Sequence, residues 1–284
     1  MPKVVPLIIS GLLILVLMVV IASMMAHYHF NQSVKKEVET FYEAVRNKHE
    51  VVSENDLNGL PSPVQNWMQN SQIVGKEKIV SARTKQEVTL RLKENQPWMN
   101  AQVEQYFRID EPGFIWAVDI KMAPLLHIVG RDKYIEGRGN ILIKLLFLKT
   151  VADGSGKEID QGALLRYLAE IMWFPTAALS EYIQWEGIDS NSAKATMSYM
   201  GVTASGVYTF SEKGEILSFV AQRYGDFDGE YRMETWSCAM KKYKEFDGFK
   251  VPSQGNITWK LKTGDFEWYH FEVKEMEYNN VARY

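Results

Sequence analysis

Residues 4–26 carry no charged side chain. Built as a helix rising 1.5 Å per residue, such a run reaches about 34 Å, enough to cross a hydrocarbon core of about 30 Å. A chain that begins this way holds its remaining residues beside a membrane. A cleaved signal sequence is the competing reading, since Lys3 supplies a short positive leader. The run exceeds a typical signal core, however, and Ser23-Met24-Met25-Ala26 is a poor small-x-small cleavage pattern, so a retained anchor is expected. Positive-inside counting sets Lys3 against Lys35, Lys36 and Arg46 and does not orient the span. Large C-terminal domains behind signal-like segments usually translocate, which makes the extracytoplasmic face the expected one.

The chain then divides into a short tail (1–3), the anchor (4–26), a helical stalk and linker (27–59) and one soluble domain (60–284). Val34, Val38, Phe41, Tyr42 and Val45 recur at helical spacing within the stalk, with charges between them. Asn58-Gly59 breaks the chain, and Leu60-Pro61-Ser62-Pro63 opens a short helix through Val64, Trp67 and Met68. The net charge of −3 is mild and no basic block stands out, which argues against a nucleic-acid partner. Cys238 is alone, so the chain forms no internal disulfide.

From Lys78 the period changes to two. Val88 to Leu92, Ala101 to Phe107 and Phe114 to Val118 alternate apolar and polar residues, and Pro112-Gly113 marks a turn between neighbours. Residues 133–136 and 140–150 suggest a further pair around Gly137-Arg138-Gly139. Residues 160–180 read as helix, with Asp160 as N-cap and a break at Pro175. The remainder is strand again, punctuated by Lys213-Gly214, Asp228-Gly229, Asp247-Gly248 and Thr263-Gly264. The expected class is α+β: an N-terminal transmembrane helix, then a curled antiparallel sheet of about ten strands, half-barrel-like and packed by short helices.

Familiar catalytic patterns are incomplete in this chain. Gly137-Arg138-Gly139-Asn140 lacks the third glycine of a dinucleotide loop, and Gly154-Ser155-Gly156-Lys157 lacks the first glycine and the hydroxyl of a phosphate loop. Asp226 to Glu230 lacks the ligands of a calcium loop and reads as a hairpin turn. No serine elbow is present, Cys238 reads as core, and neither a metal nor a cofactor is expected. What remains is one helix face: Arg166, Glu170 and Trp173 lie at i, i+4 and i+7. A charge pair fixing the helix on the sheet is the ordinary explanation of that face; a polar headgroup site is the functional one. Trp116, Trp185, Trp236 and Trp259 would fill the sheet's concavity or line an apolar pocket within it.

The motifs Leu60-Pro61-Ser62-Pro63-Val64, Phe114-Ile115-Trp116-Ala117 and Arg166-Tyr167-Leu168-Ala169-Glu170-Ile171-Met172-Trp173-Phe174-Pro175 resemble an uncharacterised bacterial domain-of-unknown-function family. Trp185-Glu186-Gly187-Ile188-Asp189 and Gly248-Phe249-Lys250-Val251-Pro252 followed by Trp259 extend the resemblance across residues 60–278. That family implies no activity. The closing strands also look like the outer-membrane lipoprotein carrier fold, a curled sheet plugged by helices; the likeness is topological and transfers no ligand.

The leading expectation is a non-enzymatic, membrane-tethered protein of the bacterial cell envelope that binds a lipid or other apolar molecule. Trp116, Trp173, Trp185, Trp236 and Trp259 would line the pocket, with Arg166 and Glu170 at its polar end. An enzyme using Arg166 and Glu170, with Asp189 or Arg223, is the rival, and an envelope protein–protein scaffold is a third reading.

Overall fold

The computed structural model describes residues 4–46, 49–123 and 126–284. Its first element, α1 (Val4–Glu43), is one continuous helix with two different surroundings. From Ile8 to Val19 it is exposed and apolar on all sides, and the helix is long and apolar enough to cross a membrane. In its C-terminal half the apolar residues contract to one stripe, Phe30, Val34, Val38, Phe41 and Tyr42, and that stripe is buried against Tyr106, Ile115 and Val129. Glu37 adds ion pairs to Arg131 at 3.0 Å and Lys133 at 3.3 Å. The segment read from sequence as a stand-off stalk therefore lies along the sheet.

The sheet explains why period-two patterning runs so far along the chain. Among the described residues thirteen strands form one antiparallel sheet: β1 (Ser81–Leu90), β2 (Met99–Arg108), β3 (Gly113–Ala123), β4 (Leu126–Ile135), β5 (Arg138–Leu145), β6 (Lys149–Gly154), β7 (Ile183–Gly187), β8 (Ser192–Tyr199), β9 (Val202–Phe210), β10 (Ile216–Phe227), β11 (Glu230–Phe246), β12 (Phe249–Leu261) and β13 (Gly264–Tyr278). Every strand pairs with its neighbour in sequence except that β13 returns to β1, leaving β6 and β7 as the two edges. Register shifts at Lys85/Gln86, Ile216/Ser218, Met240/Lys242 and Ile257/Thr258 are bulges that raise the local twist and bend the sheet into a half-barrel. Curvature also crowds the inner face: a Cβ on Gly206 would lie 2.1 Å from Phe219 Cζ, so only glycine fits under that ring.

The chain crosses between the two edges through the concavity. Helix α3 (Lys157–Glu170) lies in it, followed by 3-10 turns at Ile171–Trp173 and Pro175–Leu179, so Pro175 opens a new turn as its missing N–H requires. Asp160 is not the N-cap; Gly156 is. The Asp160 carboxylate instead accepts Gly139 N–H at 2.7 Å and pairs with Arg138 at 3.0 Å, tying the helix start to β5. At the other end the Tyr208 hydroxyl donates to the Leu168 carbonyl and lies 3.3 Å from that of Ala169, supplying partners that a helix C-terminus lacks. Helix α2 (Ser62–Asn70) closes one flank by burying Val64, Trp67 and Met68.

Candidate ligand-binding cavity

Three inner-face stripes set up the site. On β1 the inward residues are Thr84, Gln86, Val88 and Leu90; on β2 they are Ala101, Val103, Gln105 and Phe107; on β4 they are Ile128, Gly130, Asp132 and Tyr134. Each stripe is apolar but for Thr84 and Gln86 on β1, Gln105 on β2 and Asp132 on β4, and α3 lays Arg166 and Glu170 against Gln105 and Asp132. Arg166 Nε meets Glu170 Oε1 at 2.9 Å and Nη1 meets Asp132 Oδ2 at 3.2 Å. Gln105 donates to the second Glu170 oxygen at 2.9 Å and accepts from Gln86 at 3.2 Å. The Arg166 guanidinium lies 4.9 Å from the ring centres of both Phe114 and Trp116. Burial pushes the Glu170 and Asp132 carboxyls above the usual carboxylate range, against the opposing pull of Arg166.

Beside this cluster the helix does not fill the sheet. A cavity of about 310 Å³ remains between α3 and β1–β5 and β10–β13. Its walls are mostly apolar, among them Ile128, Ile143, Met172 and Phe271, with Gly130 flattening the floor. A second, wider space of about 740 Å³, a vestibule lined by Arg91, Phe227, Trp259 and Phe266, adjoins it, with Asp132, Arg166, Arg223 and Trp268 bordering both.

Arg223 stands near the cluster without joining it directly. Its Nε donates to the Gly162 carbonyl at 3.2 Å and its guanidinium lies 5.2 Å from the Trp236 ring centre; among the described residues it makes no direct ion pair, although Asp132 and Glu170 act on it through space. Burial, followed by repulsion from Arg166, lowers its pKa to about 10. Trp236 and Trp268 also line the cavity, and their buried indole N–H groups have no protein acceptor.

Of the residues singled out in the sequence, Arg166, Glu170, Trp116, Trp173 and Trp236 all border the inner cavity. Trp173 is fixed there by donating to the Pro252 carbonyl at 3.0 Å. Trp259 lies in the vestibule, edge-on to Phe227 at 5.2 Å. Trp185 is elsewhere: it donates to the Ala178 carbonyl at 3.0 Å and packs on Trp67 and Tyr208 in an aromatic cluster under α2. Arg223 joins the site, whereas Asp189 sits in the exposed β7–β8 turn accepting the Asn191 N–H. Asp226 to Gly229 is a hairpin turn, with Gly229 N–H bonded to Asp226 at 2.8 Å, and no metal-binding cluster occurs among the described residues. Gln86, Gln105 and Asp132 were not singled out; the signal was available, a polar residue interrupting an apolar inner stripe on three strands.

A family model described as a family of unknown function (DUF6544) matches residues 50–271. The chain belongs to that family. The resemblance drawn from the Leu60-Pro61 and Arg166 to Pro175 motifs is thereby met, and the DUF6544 match takes in the whole cavity up to Phe271. No curated protein matches the chain. Among solved structures, it is similar to a domain from Vibrio parahaemolyticus named for outer-membrane lipoprotein sorting, at 11% identity and a TM-score of 0.44, over 78% of this chain and 92% of that one. It is also similar to a LolA superfamily protein from Nitrosomonas europaea, at 10% identity and a TM-score of 0.42, over 76% and 94%. Both are likenesses of fold.

Proposed function

We propose that this DUF6544 protein is a non-enzymatic binding protein, held by a retained α1 anchor with its domain on the extracytoplasmic face of a bacterial envelope membrane, that encloses the acyl chain of an anionic amphiphile. The observation that carries this reading is the cavity itself: an apolar inner chamber within the usual range of about 300–1,000 Å³ for ligand sites, adjoining a wider vestibule with charged residues bordering both. The chamber suits hydrocarbon. Arg223, desolvated and outside any direct ion pair, and the indole N–H groups of Trp236 and Trp268, which have no acceptor among the described residues, suit the oxygens of a headgroup. The catalytic alternative is less well supported, because both Glu170 oxygens are already engaged, by Arg166 and by Gln105, and the residue is only 8% exposed.

A photoactivatable, diazirine-bearing fatty acid supplied to cells making the full chain tests the proposal. Cross-links are expected on β5 around Ile143 and on the turn holding Met172. They should be lost from Ile143→Trp, which fills the chamber, and Arg223→Gln should weaken capture of the fatty acid more than that of the matching fatty alcohol. Cross-links confined to α1 would reject the proposal.

A further inference from the structure

The β5–β6 tip at Leu146–Leu148 lies beside the end of β3 and the start of β4, where Lys121 pairs with His127 and the Leu146 N–H donates to the His127 carbonyl at 2.8 Å. Helix α1 leaves the domain at the same end. Its Tyr42 donates to the Ala82 carbonyl where β1 begins, whereas His27 stacks on Phe147 at 4.3 Å and Ser23 Oγ donates to the Leu146 carbonyl at 3.4 Å. Ser23 stands three residues inside the end of the uncharged run, about 4.5 Å along a helix axis. The β5–β6 tip is thus at the depth where the anchor meets the headgroups.

The side chains at this end suit that depth. Leu148 and Met122 are each 49% exposed. Beside Met122 and Leu148, Lys121 and Lys149 are exposed, and among the described residues they join no ion pair. Apolar tips flanked by unpaired lysines fit a surface that is hydrocarbon beneath and anionic above.

We infer that this end of the domain is seated on the lipid bilayer, with Met122 and Leu148 in the interfacial layer and Lys121 and Lys149 against anionic headgroups. The inference rests on α1 being a retained anchor but not on what the cavity holds.

Full-length Leu148→Cys, labelled with the environment-sensitive dye NBD, in nanodiscs of phosphatidylcholine and phosphatidylglycerol tests it. Cys238 is buried and leaves the introduced thiol as the reactive one. Met200→Cys is the control: Met200 is 65% exposed and abuts Gly137 in the β4–β5 turn, at the opposite end. The Leu148 dye should emit further to the blue and be quenched by spin-labelled lipids, the Met200 dye should do neither, and Met122→Cys should repeat the Leu148 result. A Leu148 dye as water-like as the Met200 dye, in protein that co-purifies with the discs, would overturn the seating alone. Protein that fails to co-purify would overturn the anchor and the seating together.

Discussion

Replacing Arg166 by Met removes the cation that is ion-paired to two enclosed carboxylates and leaves only the unbonded field of Arg223 near both. Arg166, Asp132 and Glu170 are 17%, 25% and 10% exposed at the side chain, so the ion pairs at 2.9 and 3.2 Å are shielded from water and salt. Breaking such a pair by deleting one partner costs about 3–5 kcal/mol, because the charge left behind is uncompensated. For a domain of this size that corresponds to a fall in melting temperature of roughly 6–20 °C, at about 2–4 °C per kcal/mol. The loss should shrink as pH falls, because burial has raised the Glu170 carboxyl and, once protonated, it no longer needs a counter-ion. Adding Glu170→Gln to Arg166→Met should likewise recover part of it. Near-UV circular dichroism melts of the detergent-solubilised full chain measure all three. A drop below about 2 °C, the scale of a surface ion pair worth about 1 kcal/mol or less, would show that water reaches the cluster and that the cavity is not a low-dielectric space.

The same carboxyl gives a pH dependence of definite sign. A folded-state pKa raised above the unfolded value near 4.5 means that stability is greatest below that pH and falls as pH rises through the folded value; between pH 4.5 and 7 the wild type should therefore lose stability more steeply than Glu170→Gln, and parallel slopes would refute the assignment. Gly206→Ala places a methyl where Phe219 already lies, at 2.1 Å, and should cost about 1–3 kcal/mol by overpacking, read as a lower melting temperature. Val38→Asp buries a carboxylate under α1 and should release residues 30–43 from the sheet. Hydrogen exchange should then speed up across that segment while β10–β13 stay protected; unchanged exchange would show that the helix does not depend on this contact.

Several parts of this structure were legible in the sequence. The long apolar N-terminal helix is readable because so long a run without charge leaves few alternatives, and the curled sheet because turn residues punctuate period-two segments at short intervals. The Arg166, Glu170 and Trp173 face was readable because α-helical spacing fixes neighbours locally. The docking of α1 was not: the stripe of Val34, Val38, Phe41 and Tyr42 says that a face is buried without saying against what, and its partners on β2–β4 lie far along the chain. Asp132, Gln105 and Gln86 escaped for a related reason. Their convergence depends on the register of β1–β4, which the hydrophobic alternation of any one strand leaves open. Trp185 was grouped with the pocket on aromatic character alone, but β7–β9 curl around Trp67, so its ring joins a separate cluster under α2. Asp160 followed N-cap preference, and a tertiary bond to Gly139 won instead.

The most direct test of the central claim is native mass spectrometry of the full chain purified gently from its own host, followed by organic extraction. Stoichiometric recovery of an anionic, acyl-bearing molecule, lost from Ile143→Trp and reduced in Arg223→Gln, is the expected result. A ligand-free mass for the wild type, matched by Ile143→Trp with an unaltered melting temperature, would contradict the claim that the cavity exists to hold a lipid.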